Sequence, residues 1–272
     1  MSPNLLTNVS RAGNLLKHQT LKQVNRRRGA GRVPESRFDD LLARYGADHS
    51  TVFVHAGLAD VKAAFGGDPY RFLLERLDDH FESVIAPGFT DYFATSGVYH
   101  KEFSRPKHGS FVRQFLDDAD YRTDDAIKSF LVRGDYRFED CVHEESYHED
   151  GCFAKLVEDD VLVLDVGTPW LVCSHLHFFE SRYDVDYVAE YTFDGVRYSD
   201  RTTFERIEQT VDKQVSELYS WNKPKLMELL DDEGVLDRHD LNGLNVLAFT
   251  LGDVDEALSP KLRENPYWLV TL

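Results

Sequence analysis

The sequence predicts an α/β protein, a three-layer α/β/α arrangement around a mixed, mostly parallel central sheet. Three observations point there. Short β-branched runs alternate with amphipathic helical runs through residues 45–180, as strands joined by covering helices do. Residues 161–167 form an apolar run ending in Gly, with Pro169 just beyond, which reads as a buried strand. A hairpin strand over 188–196 and a closing strand over 266–272 make the sheet mixed.

Taken in order, residues 35–44 read as a short amphipathic helix and 51–54 as a β-branched strand. His55-Ala56-Gly57-Leu58 follows. Small residues where a strand hands over to a helix leave backbone N–H groups free at the helix start, a natural phosphate site. Residues 69–80 form a helix whose face is Tyr70, Phe72, Leu73, Leu74 and Leu77, and 84–90 form the next strand and its exit. The stretch 91–106 is aromatic and irregular, as an active-site loop would be. His108-Gly109-Ser110-Phe111 opens a helix running through Phe115, with Gly109 or Ser110 near its cap. Residues 123–134 are a loop feeding a strand. Residues 135–152 are rich in His and Glu, but their spacing fits no ligand pattern, so a solvated acidic loop is preferred to a metal site. The strand over 188–196 is expected to turn at Asp194-Gly195. Residues 203–219 and 223–232 read as amphipathic helices.

A length of 272 residues, 42% hydrophobic content and 12% aromatics suit a folded domain rather than disorder. The expected organisation is one α/β domain over 35–272 preceded by a basic segment, 1–34. That segment has no Asp or Glu and carries Arg11, Lys17, Lys22, Arg26, Arg27, Arg28 and Arg32. Transit peptide and nucleic-acid arm are open for it; a mobile tail, or a helix laid on an acidic body, is preferred. The net charge of −17 makes that body strongly acidic. Such a surface repels nucleic acid and attracts polycations, or it belongs to a salt-adapted proteome, the preferred explanation. No run approaches the ~20 apolar residues of a membrane span. Cys141, Cys152 and Cys173 show no paired short spacing, which suits a reducing cytoplasm.

The chemistry concentrates after the 161–167 strand. Ser174, His177 and Glu180 are three residues apart each, and on a helix that spacing aligns them along one face. A His with a carboxylate one turn later suits general base catalysis. His175 should face elsewhere and is structural; Cys173 follows Leu171 and Val172 and should be buried. A metal-dependent hydrolase on Cys173, His175, His177 and Glu180 is an alternative, and an inactive scaffold binding a partner through the basic segment is another.

Several pieces, in this order, resemble the aminoglycoside 3-N-acetyltransferase family, including its surface-polysaccharide branch. Val54-His55-Ala56-Gly57-Leu58 is similar to the family's Val-His-Ser-Ser-Leu, and Pro87-Gly88-Phe89-Thr90 to its Pro-x-Phe-Thr. Pro106 to Phe111, Arg122 to Ser129 and Asn265-Pro266-Tyr267 resemble further motifs, and Ser174-x-x-His177-x-x-Glu180 matches Thr-x-x-His-x-x-Glu. The resemblance covers residues 36–272. It implies acetyl-CoA as co-substrate, a primary amine of an aminoglycoside or amino sugar as acceptor, no metal, and a homodimer as one assembly. It implies His177 as the base, Glu180 orienting it, and Ser174 donating to the thioester carbonyl or oxyanion. Ala56, Gly57 and Leu58 would hold the cofactor with Gly109 and Ser110, while Asp125 and Lys128 would meet the acceptor. Ala56 and Gly57 replace two hydroxyls of the family pattern, leaving backbone N–H groups to bind the phosphates, and Cys152 stands where the family has Ser.

Overall fold

A computed structural model describes residues 30–216 and 219–271. In chain order its elements are α1 (Glu35–Gly46), β1 (Thr51–Ala56), α2 (Leu58–Phe65), α3 (Pro69–His80), β2 (Ser83–Pro87), α4 (Phe93–Ser96), β3 (Val98–His100) and α5 (Ser110–Asp118). Then come β4 (Tyr121–Arg122), β5 (Phe130–Gly134), α6 (Cys152–Glu158), β6 (Leu162–Val166), α7 (Leu176–Arg182), β7 (Val188–Tyr198) and β8 (Phe204–Gln214). The chain closes with β9 (Ser220–Trp221), α8 (Lys223–Asp232), β10 (Asp237–Leu241), β11 (Leu244–Thr250), α9 (Leu251–Glu264) and β12 (Val270–Thr271).

The main sheet has seven strands in the order β10-β11-β6-β1-β2-β5-β4. Only β1 is parallel to its neighbours, β6 and β2. The pairs β10–β11, β11–β6, β2–β5 and β4–β5 are antiparallel. The sheet is therefore mixed and largely antiparallel, which corrects the expectation of a mostly parallel one. Strand–helix alternation identified the parallel centre correctly, but both flanks are built from returning strands. Each face carries its own apolar cluster, because successive strand residues point to opposite sides. Phe53, Ile85, Val163 and Phe249 pack with α6, α7, α8 and α9. Val52, Val54, Val84 and Leu164 pack with α1, α2, α3 and α5.

Local signals explain the well-read elements. Asp68 caps α3, accepting from the Tyr70 and Arg71 amides, and Pro69 fills the first helical turn, where its missing N–H costs nothing. Tyr70, Leu73, Leu74 and Leu77 then form the buried face. The irregular stretch after β2 is held by the buried Arg122, whose guanidinium donates to the carbonyls of Gly88, Lys101 and Ser104.

Residues 203–219, expected to be helical, contain β8 instead. Ile207, Val211 and Val215 lie at helical spacing, but burial through Ile207, Gln209 and Val211 has period two. β7 and β8 pair along their whole length, from Val188↔Gln214 to Tyr198↔Phe204. The hairpin turns at Asp200, whose carboxylate accepts from the Thr202 and Thr203 amides, rather than at Asp194-Gly195. Gly195 sits inside β7 because α4 lies against it: a Cβ there would meet the Phe93 ring at 2.5 Å. β12 pairs with β9 through Val270↔Trp221 and Thr271↔Ser220. Of the basic segment only 30–34 fall within the described residues. There Gly31 donates to the Asn242 carbonyl and Val33 to that of Ala64. No helix of the described residues is long and apolar enough to cross a membrane.

Candidate active site

β1 and β6 run side by side in parallel, with His55 opposite Asp165 and Ala56 opposite Val166. Crevices at the carboxyl ends of parallel strands are where open α/β sheets take ligands. Register brings the His55 and Asp165 side chains together, with Nδ1 3.0 Å from Oδ1. After β6 the chain folds back, and the Val172 amide donates to Asp165 Oδ2 at 2.5 Å. Two residues later Ser174 Oγ lies 2.8 Å from His55 Nε2. Asp165 is completely buried and His55 nearly so. Burial pushes the Asp165 carboxyl up, against the pull of His55 and the Val172 amide. Neither strand-end residue was a candidate from sequence.

The fold-back ends in α7, which carries the expected pair. His177 Nδ1 lies 3.2 Å from Glu180 Oε2, one turn further on. Glu180 is buried, and its other oxygen accepts from Trp221 Nε1 at 2.6 Å and Gln214 Nε2 at 2.9 Å. A carboxylate so held fixes the imidazole orientation and leaves Nε2 as the ring's basic nitrogen. Trp221 also flanks the ring, with centroids 4.5 Å apart.

Both assemblies open on one cleft of about 370 Å³. His55, Ala56, Ser174 and His177 form one part of its lining, joined by Trp221 and Lys223; Asp91, His108, Gly109 and Lys128 form another. Asp91 accepts from Lys128 Nζ at 2.7 Å and lies 3.0 Å from His108 Nε2. Burial works to raise the Asp91 carboxyl, but His108 and Lys128 outweigh it and hold it well below the usual carboxylate range. The cleft therefore contains a firmly ionised carboxylate.

Of the residues expected from sequence, Ala56, Gly109, Lys128, Ser174 and His177 line the cleft, and Glu180 stands behind His177. Gly57, Leu58, Ser110 and Asp125 do not line it. Gly57 caps α2, and a Cβ on it would stand 2.1 Å from the Gly167 carbonyl oxygen, so glycine is required for two turns to touch. Leu58 is core, and Ser110 is the first residue of α5 behind the Gly109 cap. Asp125, expected to meet the acceptor, is buried outside the cleft lining. Its buried carboxylate accepts from the Ile127 and Lys128 amides at 2.8 and 2.7 Å. Burial pushes it up to about 6 even so. It folds the loop that presents Lys128; the cleft carboxylate is Asp91.

Cys173 is buried as expected, though it borders the cleft, and His175 faces away from it as expected; burial pushes the Cys173 thiol up to about 12 and the His175 imidazole down to about 3. The His175 ring packs against Phe53 and Phe153 in the core, whereas His177 lines the cleft. The four donors of the metal-hydrolase alternative thus do not converge. Among the described residues no group of three or more His, Cys, Asp or Glu side chains could hold a metal ion.

No family model matches the sequence, and no curated protein does. Solved structures do match. Aminoglycoside acetyltransferase AAC(3)-Xa is similar at 15% identity and a TM-score of 0.66, over 90% of this chain and 98% of that one. AAC-IIIb in its binary complex with CoASH gives 16% and 0.66, over 83% and 96%. A mutant of aminoglycoside acetyltransferase AAC(3)-IVa in complex with a gentamicin gives 13% and 0.62, over 85% and 89%. What this chain shares with these aminoglycoside acetyltransferases, over nearly their whole length, is the fold.

Proposed function

We propose that the protein is an acetyl-CoA-dependent N-acetyltransferase that acetylates a primary amine of an aminoglycoside or amino sugar, with His177 as general base. The observation that carries this is His177, backed by the buried Glu180, in the cleft that also contains Ala56 and Gly109. The fold shared with acetyltransferases, one of them solved with CoASH, supports it. Cofactor phosphates would meet the Gly109 end of α5, with Lys107 and Lys128 near Asp91.

An amine near neutral pH is mostly an ammonium ion and cannot attack a thioester until it loses a proton. The net charge of −17 favours approach of a polycation, and the ammonium gives its first proton to solvent before it reacts. As nitrogen bonds to the acyl carbon, its proton passes to His177 Nε2. The bond from the acyl carbon to its leaving group then breaks. Glu180 stabilises the imidazolium that forms.

Thiol release from acetyl-CoA, measured across a panel of amino sugars and aminoglycosides, tests this. His177→Ala should slow steady turnover by about 10²- to 10⁴-fold, while calorimetry finds the affinity for CoASH unchanged. Undiminished turnover in that variant would show that His177 is not the base.

A further inference from the structure

The expected duty of Ser174, donating a hydrogen bond to the thioester oxygen, meets an obstacle in its own surroundings. Its hydroxyl has one proton. Asp165 is a carboxylate facing His55 Nδ1, so that nitrogen carries the ring proton and Nε2 is an acceptor. At 2.8 Å from Nε2, the Ser174 proton is directed at His55 rather than into the cleft. The chain Asp165–His55–Ser174 has the connectivity of a nucleophile, its base and the group that orients the base. Such sets are recognised by geometry and not by order in the sequence. The Val172 amide fixes the second Asp165 oxygen, and the depth of Asp165 in the sheet keeps the arrangement dry. Ser174 and His55 both line the cleft, as does His177.

We infer that Ser174 is an acyl-accepting nucleophile, so that transfer proceeds in two halves through an acetyl-serine ester. In the first half Ser174 Oγ bonds to the thioester carbonyl carbon while its proton passes to His55 Nε2. The carbon–sulfur bond breaks, and His55 returns that proton to the departing thiolate. In the second half the amine nitrogen attacks the ester carbon and gives its proton to His177. The carbon–Oγ bond breaks, and Ser174 Oγ takes up the proton that His177 received from the amine, which leaves both imidazoles as they began. The net change is acetyl-CoA plus amine giving amide plus free thiol. Two bases in one cleft then have separate duties, His55 for the serine and His177 for the amine. Asp165 is a positioning residue that acts through His55. The inference rests on the acetyl-CoA assignment above for its donor, but the nucleophile can be tested without it.

Rapid-quench mixing of the full chain with acetyl-CoA and no amine should give a burst of one thiol per chain. Peptide mass spectrometry should find one acetyl group, labile to hydroxylamine, on Ser174. The ester should accumulate in His177→Ala, which lacks the base for the second half, and be absent in Ser174→Ala. Asp165→Asn should slow the burst by about four orders of magnitude and change its pH profile, a readout that a packing role alone would leave in place. p-Nitrophenyl acetate is the second donor. Acylation of Ser174 by it, with no reaction of acetyl-CoA, upholds the nucleophile and overturns the acetyl-CoA assignment. Amine acetylation that survives Ser174→Ala without any acyl-enzyme overturns the inference and leaves the transferase assignment standing. Failure of both donors to acylate Ser174 overturns the inference.

Discussion

His175 and His177 are two residues apart and occupy opposite environments. The His177 side chain remains one-third exposed, at 34%, on the cleft, with Glu180 against it. His175 is wholly buried, and among the described residues neither of its ring nitrogens has a hydrogen-bond partner. That burial makes acid costly. An unfolded histidine protonates near 6.5, whereas burial holds this one down to about 3. Between those values the unfolded chain binds the extra proton, so stability is full above 6.5 and falls as pH drops. At pH 4.5 the loss is about 2–3 kcal/mol. Relative to the parent, His175→Phe should therefore gain stability by that amount between pH 7 and 4.5, measured by urea unfolding. Asp125, whose raised carboxyl acts in the opposite direction, is common to both proteins and cancels. Identical pH dependence would mean that His175 is solvated. At this scale His177 and Glu180 were legible because helical spacing is local, whereas Ser174 precedes α7 and reaches the cleft from the turn before it, not from a shared helix face. His55 and Asp165 were not legible, because 110 residues separate them and only strand register joins them. A signal did exist: Asp165 is a charge inside an otherwise apolar strand, and charges are rarely buried without a partner.

Elements were legible where one period dominated. α3 declared itself through its Asp68-Pro69 start and apolar face, but β8 offered both periods and the helical one was misleading. The β10–β11 hairpin escaped notice although Asn242-Gly243 joins its strands with both residues at positive φ, the strongest short-range hairpin signature. The turns after β1 and β6 determine how closely His55 and Asp165 can approach, since Gly57 packs directly on the Gly167 carbonyl. Gly57→Ala should force the two turns apart. A loss of about 1–3 kcal/mol is expected, seen as a melting temperature lower by several degrees, with thiol release reduced beyond what the lost stability explains. Parent-like melting and turnover would show that the two turns can yield without cost.

For the whole molecule, charge is the property most open to test. At −17 the chain repels itself, and many of its ion pairs, such as Arg71 with Asp118 and Arg44 with Asp237, reach the surface, where each contributes at most about 1 kcal/mol. Added salt screens both, with a Debye length of about 3 Å at 1 M, and the excess of like charge should dominate. The melting temperature should rise from low salt to 1 M NaCl; a fall would mean that the ion pairs outweigh the repulsion. Sheet polarity was the whole-molecule feature least legible beforehand, since strand direction depends on which neighbour a strand joins, and that is decided by contacts far apart in sequence. The far end of the chain matters in the same way. β12 pairs with β9, and Trp221 of β9 donates its indole proton to Glu180. Val270 and Thr271 thus brace the strand whose indole holds Glu180, and removing them should loosen that carboxylate's hold on the His177 ring.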